Sequence, residues 1–414
     1  MIINCSDAKR EQTEAQTRRR VLSIGSGAHF IHDGFTGVLI LLLPIWQIEF
    51  ALSLTQIGII RSIYSGAMAL FQVPAGLLAE LWGERLLLGV GTILTGLAYL
   101  TLGLSSGYFS LLVLLLVGGV GASVQHPLCS SIISKAYEQG SRRTALGIYN
   151  FSGDLGKMVL PFIAAIIIAE FNWRWVSTGA GVIGIFAGIL AYILLLIMRE
   201  GGNSSKILTN DSNNKKTDSK TKGWGIKNSA GFGAISTIGI IDGAGRSGFL
   251  TFLPFLFIEK GAEVEVIGLA LTLTFIGGAA GKFFCGILAE RLGIIRTVLL
   301  TEAVTGFGIL ALLPLSLNWA LALLPLIGIG LNGTSSVLYG TVSDFVSSER
   351  RARGFGLFYT LSVGGSALAP LLFGVLSDFT SVTLTLSMVA LLSLSTIPIC
   401  KFLVKPLSEV QLAS

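Results

Sequence analysis

Residues 76–85 read GLLAELWGER, and residues 286–296 read GILAERLGIIR. The two stretches lie 210 positions apart, and the correspondence runs on in both directions. Ile57-Gly58 matches Ile267-Gly268 and Pro44 matches Pro254 at the same offset. Leu146-Gly147-Ile148-Tyr149 matches Phe355-Gly356-Leu357-Phe358 at an offset of 209. So do Gly156 with Gly365, Pro161 with Pro370 and Asp33-Gly34 with Asp242-Gly243. A repeat covering half of a 414-residue chain predicts two similar bundles related by a pseudo-two-fold axis.

The material between the matched stretches is apolar. The chain is 52% hydrophobic and 13% charged, with 52 glycines, whereas soluble domains carry about 25% charged residues. Such a composition cannot cover a water-facing surface and reads as a polytopic membrane protein. Twelve apolar runs can be marked: 21–48, 57–79, 86–104, 109–134, 144–168, 175–198, 229–258, 265–289, 294–315, 319–343, 353–376 and 381–404. Most reach the roughly 20 residues a spanning helix needs. They are continuous rather than alternating, which favours helices over a barrel. The fold class expected is all-α and integral to the membrane, with twelve spans in two six-helix bundles.

Basic residues set the orientation. With the N-terminus placed inside, 23 of the 29 Lys and Arg fall in cytoplasmic segments, and only Arg174 and Lys260 fall outside. Both termini are therefore expected in the cytoplasm, at an inner membrane. The expected domains are a tail (1–20), a first bundle (21–198), a polar linker (199–227), a second bundle (228–404) and a tail (405–414). The linker is rich in Ser, Asn, Lys and Gly and predicts a flexible connection. The net charge of +6 sits between apolar runs and gives no nucleic-acid signal. Cys5, Cys129, Cys285 and Cys400 form no CxxC pair, so neither a zinc nor a redox motif is indicated. No phosphate-binding loop is present and GGVGAS (118–123) is a packing stretch, so the chain is not expected to be an enzyme or an ATP-driven pump. No cofactor is expected.

These residues resemble the major facilitator superfamily, whose loop between the second and third helices reads G-x-x-x-D-(R/K)-x-G-x-(R/K). Here it reads Gly76, Glu80, Leu81, Gly83 and Arg85, and the second copy reads Gly286, Glu290, Arg291, Gly293 and Ile295 with Arg296 one place late. The glycines suit a tight turn and close helix approach, and the carboxylate suits pairing with basic groups or a helix N-terminus. The resemblance implies a gate-latch role for this loop. A finer resemblance is to the fosmidomycin-resistance group of efflux proteins, carried by His29 and Asp33 ahead of Leu43-Pro44, by His126-Pro127 and by Gly153 to Pro161. Many proton-coupled drug antiporters of the superfamily carry an Arg four residues before a G-x-G in the fourth helix; ahead of Gly119 and Gly121 this chain has Leu115.

Ionisable groups inside hydrocarbon cost a few kcal/mol or more each and mark function. At about 1.5 Å per residue across a core of about 30 Å, Asp33, Asp154, Lys157, Asp242 and Arg246 fall near mid-depth. Arg61 and Lys282 lie nearer the ends of their runs, within snorkelling reach of the interface. Asp242 and Arg246 are spaced i, i+4, and Asp154 and Lys157 i, i+3, as neutral intrahelical pairs would be. Either pair serves to hold the bundle together, or offers its cation to an anionic substrate. Pairing in this way leaves Asp33 over, with His29 and His32 as company. Burial disfavours an isolated carboxylate anion, and a histidine beside it suits proton relay. Proton coupling is therefore assigned to Asp33, His29 and His32. The same residues with His126 have metal-site potential, but His29 and His32 do not fully share a face with Asp33 and no thiolate is near, so no metal is expected. Asn332, Ser335, Ser336 and Tyr339 form a polar stripe on the tenth run, and Tyr359 and Ser362 lie on the eleventh. The substrate-contact candidates are Arg246, Lys157, Asp154, Asp242, His126, Arg61, Lys282, Asn332 and Tyr339.

The function expected is secondary active transport by rocking of the two bundles about a midplane site. The transport expected is proton-coupled export of a small organic solute of anionic or amphiphilic character, export being what the family resemblance implies. Proton-coupled uptake of an organic anion or a metal chelate is the alternative within transport. A non-transporting sensor or assembly factor with the same fold is the alternative outside it. The expected partners are the lipid bilayer, protons and the substrate, with the chain acting as a monomer.

Overall fold

The computed structural model describes residues 5–138, 141–202, 224–347 and 351–413. Most of the expected linker, 203–223, lies outside them. Fifteen helices follow one another: α1 (Cys5–Glu49), α2 (Leu54–Trp82), α3 (Glu84–Leu102), α4 (Tyr108–Ala122), α5 (Gln125–Ala136), α6 (Arg142–Glu170), α7 (Trp173–Ile197), α8 (Ser229–Glu259), α9 (Val264–Leu292), α10 (Ile294–Leu312), α11 (Leu317–Val342), α12 (Arg351–Phe379), α13 (Val382–Leu394), α14 (Thr396–Ile399) and α15 (Lys401–Ala413). Eleven segments among the described residues are long and apolar enough to cross a bilayer. The 31-residue α8 is the twelfth by length and by its place in the repeat; its glycines, serines, Asp242 and Arg246 dilute its apolarity. The chain is a multi-pass integral membrane protein.

The repeat is written into the helix ends. α9 starts and ends 210 residues after α2, α10 does the same after α3, and α12 follows α6 at 209. Three boundaries differ from the sequence expectation. α1 begins at Cys5 rather than at 21, because the polar tail is made of strong helix formers and Arg18 reaches back to Glu14 at 3.6 Å. The fourth run breaks at Ser123-Val124, just ahead of Pro127. A proline tolerates the first turn of a new helix but cannot donate within the old one. The last run breaks into α13, α14 and α15 around Pro398 for the same reason.

By packing, the chain divides into two compact units that cut through α1, α2 and α6. One holds Met1–Val38, Leu70–Leu160 and Glu170–Lys215, and its apolar core includes Val21, Leu88, Leu128, Ile133, Tyr149 and Leu195. The other holds Leu39–Ala69, Pro161–Ala169 and Lys216–Ser414, with a core that includes Ile235, Val298, Leu338, Phe345 and Phe358. Leu39 to Leu43 are no more than 1% exposed, as suits a helix segment apolar on every side.

Inside the second unit the repeat makes two matching crossings. A Cβ on Gly58 would stand 2.2 Å from the Pro370 carbonyl oxygen, and one on Gly268 would stand 2.4 Å from the Ala165 Cβ and 3.2 Å from the Pro161 carbonyl oxygen. Only glycine lets the two backbones approach so closely. Next to the first crossing, Asp378 accepts hydrogen bonds from the backbone N–H groups of Leu54 (2.8 Å) and Thr55 (2.9 Å), the first residues of α2. Ser62 Oγ accepts from the Leu371 N–H at 3.1 Å.

The signature turns divide their glycines by role. Gly83 (φ 88°) and Gly293 (φ 85°) hold left-handed backbone between α2 and α3 and between α9 and α10, a conformation a Cβ would strain. Gly76 and Gly286 do not mark the close approach expected of them: among the described residues a Cβ on either would meet nothing within 4 Å.

Candidate functional site

α1 carries the first charged cluster. His29 and Asp33 are one turn apart, and Asp33 is 4% exposed. His29 Nε2 stands 3.3 Å from Asp33 Oδ2. His32 Nε2 is 3.9 Å and His126 Nε2 3.8 Å from Asp33 Oδ1. His126 reaches the cluster because the α4–α5 break places it in the first turn of α5. The third approach comes from α6. Lys157 Nζ lies 2.6 Å from Asp33 Oδ2.

That contact corrects the sequence reading. Asp33 is not left over by intrahelical pairing; its cation comes from another helix. The i, i+3 spacing of Asp154 and Lys157 kept this out of sight, since spacing within a helix reports nothing about distances between helices. Asp154 is buried on the same helix. The face argument against a histidine cluster falls as well, because all three imidazoles surround one carboxylate.

The cluster is shaped by two neighbours that spacing did not reveal. His29 Nδ1 is 2.7 Å from the Tyr149 carbonyl oxygen. A carbonyl only accepts, so Nδ1 carries the proton and donates. The Tyr149 ring stacks on His29 at 4.1 Å between centroids. Gly153, one turn on along α6, leaves the room: a Cβ there would stand 2.6 Å from Asp33 Oδ2 and 2.7 Å from His29 Nε2.

α8 carries the second cluster. Arg246 Nη2 donates to Asp242 Oδ2 at 3.2 Å, so this expected pair forms. Arg246 Nη1 reaches Ser335 Oγ at 3.1 Å and Asn332 Oδ1 at 3.4 Å on α11. Asn332 and Ser335 thus orient the guanidinium. Tyr339 stacks on Tyr359 at 4.6 Å and meets Phe358 edge-on. Arg61 and Lys282 are half-buried on α2 and α9.

Two buried carboxylates escaped the sequence reading. Glu302 on α10 is 2% exposed, with Thr334 and Thr396 as hydrogen-bond partners and Asp242 and Arg246 in its electrostatic surroundings. It stands about 12 Å into its helix at 1.5 Å per residue, so depth alone had the power to flag it. Glu84 heads α3, where the helix dipole favours an anion. It binds Ser131 and pairs with Lys135 Nζ at 2.8 Å. Glu84 is the buried carboxylate of the signature turn, while Glu80 and Glu290 are exposed. Arg85 is fixed at its backbone, where its N–H donates to the Gly201 carbonyl at 2.9 Å.

A twelve-span, twofold-repeated helical fold with an aspartate on the first helix of each sequence half held by a cation defines a secondary transporter rather than an enzyme. The chain belongs to the Major Facilitator Superfamily, whose family model matches residues 25–230 and 235–413. It is 25% identical over 393 residues to the fosmidomycin resistance protein of Escherichia coli (strain K12), covering 92% of each chain. It is 24% identical over 366 residues to the hexuronate transporter of Bacillus subtilis (strain 168), covering 81% of this chain and 82% of that one. In fold it matches the crystal structure of the peptide transporter POT with a TM-score of 0.76 at 14% identity, over 95% of each chain.

Proposed function

We propose that this chain is a proton-coupled transporter of a small organic anion, working as a monomer by alternating access in an inner membrane with both termini cytoplasmic. Asp33 takes the coupling proton, with His29 and His32 as relay. Arg246 and Lys157 are the cations offered to the substrate. The observation that carries the reading is the 2.6 Å contact of Lys157 with Asp33. While Asp33 is an anion it holds Lys157. A proton on Asp33 frees the ammonium for the anionic group of a substrate, so proton and anion load together. Charge-assisted contacts of this kind are worth about 1.5–3 kcal/mol each, enough to couple the two events about tenfold or more.

Joint loading supports co-transport, and the similarity to a hexuronate transporter supports a sugar-acid or related carboxylate as substrate. The similarity to a fosmidomycin resistance protein supports export as the second reading. Right-side-out and everted vesicles, each given an inward proton gradient, distinguish them. Co-transport accumulates labelled carboxylate with the gradient, and antiport expels it. Flux indifferent to the gradient in both preparations refutes proton coupling.

The contacts of Asp378 with the start of α2 act as the outer latch in this reading. Asp378→Ala removes a carboxylate from two N–H groups at a helix N-terminus, a change of about 1–2 kcal/mol. Spin labels at Ala51→Cys and Phe379→Cys report it. The expected result is a long-distance population about tenfold larger than in the parent. An unchanged distribution removes the latch role.

A further inference from the structure

We infer that the cluster on α1 is a binding site for a divalent transition-metal ion, with imidazole nitrogens of His29 and His126 and a carboxylate oxygen of Asp33 as ligands and His32 beside them. One chemical class fits this donor set. Imidazole nitrogens with one carboxylate suit zinc, cobalt, nickel or copper, and suit magnesium or calcium poorly.

The geometry is close to what an ion needs. Ligand atoms of His29, Asp33 and His126 all lie within 4.8 Å of one another. Ligands at 2.0–2.1 Å on a tetrahedral ion stand about 3.3 Å apart. His29 Nε2 is already 3.3 Å from Asp33 Oδ2, and the Nε2 atoms of His126 and His32 are 3.8 and 3.9 Å from Asp33 Oδ1. Contraction by up to about 1.5 Å closes the set of His29, Asp33 and His126, and the half-exposed His126 is the ligand able to supply most of it.

Two further observations point the same way. His32 Nε2 is buried and makes no hydrogen bond among the described residues. A buried polar atom without a partner costs about 1–3 kcal/mol. Second, the His29 Nδ1–H donates to the Tyr149 carbonyl at 2.7 Å. Metal-bound histidines are held this way, with the far ring nitrogen anchored to a carbonyl so that the near one presents its lone pair. Gly153 keeps the space between His29 and Asp33 clear.

Lys157 occupies the same carboxylate. Its ammonium and a bound metal ion cannot both sit at Asp33 Oδ2 without strong repulsion, so the ion enters as Lys157 withdraws along its flexible stem. The ion and the ammonium are alternative counter-charges of Asp33. Inhibition of transport by the metal follows if Asp33 couples as proposed above, and that consequence rests on that reading. Metal binding itself does not.

The test is a titration of the purified full-length protein, free of any histidine tag, with cobalt(II). Visible absorption of four-coordinate cobalt reads the site directly. The expected result is one equivalent bound, displaced by zinc and not by magnesium or calcium. His126→Ala weakens binding by about tenfold or more, and Lys157→Met tightens it about tenfold by removing the competing ammonium. Absence of a stoichiometric cobalt band from the parent and from Lys157→Met alike overturns the site. So does binding that ignores both substitutions. Zinc inhibition of flux is measured separately: bound metal without inhibition leaves the site standing and counts against Asp33 as the coupling group.

Discussion

Asp33→Asn is expected to abolish concentrative transport and to spare exchange. A proton that moves with a monoanion carries no net charge, so in proteoliposomes the drive is the pH gradient, worth about 1.4 kcal/mol per pH unit. Across about 1.5 to 2 units that is about thirty- to a hundredfold in accumulation ratio. The amide cannot take up and release the proton, so accumulation falls by about that factor. Exchange of labelled for unlabelled substrate needs no net proton movement and stays within a few-fold of the parent. Loss of the carboxylate also takes away the 2.6 Å counter-charge of the part-buried Lys157, and a charge-assisted contact of this kind is worth about 1.5–3 kcal/mol. The companion Asp33→Asn/Lys157→Met removes both charges and regains thermal stability, while remaining unable to concentrate substrate. Full accumulation by either variant sinks the coupling assignment.

Much of this arrangement was open to reading from residues alone. Apolar runs, basic-residue asymmetry and the 210-residue repeat are local or periodic properties, and the helix ends obey them closely at α2 and α9. The intrahelical pair of Asp242 and Arg246 was legible for the same reason, since one helical turn fixes the distance. The contact of Lys157 with Asp33 was not. It depends on how α1 and α6 pack, and no spacing within either helix encodes that. Tyr149 as the anchor of His29 was hidden likewise, because the group that binds is a backbone carbonyl. Glu302 was overlooked although its place in an apolar run was visible.

The repeat sharpens what the two halves share. Each has an aspartate at the same place in its first helix, and each supplies one cation. In the first half the cation sits on α6 as Lys157, where the repeat puts Ser366 on α12. In the second it sits on α8 as Arg246, where the repeat puts Gly37 on α1. One pair therefore bridges two helices and the other closes within one turn. A bridging pair is broken by a shift of one helix against its neighbour, and a pair within one turn is not. This difference supports the proposal that couples conformational change through Asp33 and Lys157 and holds the anion with Arg246.

Arg246 gives the second large effect. Arg246→Gln removes a guanidinium that meets Asp242, Ser335 and Asn332. Two costs follow, and a double-mutant cycle separates them. The first is structural: Asp242 is left buried beside Glu302 without its cation, which costs about 3–5 kcal/mol of stability. Asp242→Asn/Arg246→Gln removes that cost, because neither charge is then stranded, and the two changes are expected to be non-additive by up to about 3 kcal/mol in favour of the double variant. The second cost, expected from the proposed role of Arg246, is to substrate. Charge-assisted hydrogen bonds to an anionic group are worth about 1.5–3 kcal/mol, so KM rises about ten- to a hundredfold in Arg246→Gln and stays raised in the double variant. Arg246→Lys keeps the charge but loses the fork that Ser335 and Asn332 orient, and falls between. Thermal unfolding and labelled-carboxylate uptake read the two axes independently. A double variant that regains both stability and the parent KM makes the pair purely structural. One that regains stability alone leaves Arg246 as the residue that holds the substrate's charge.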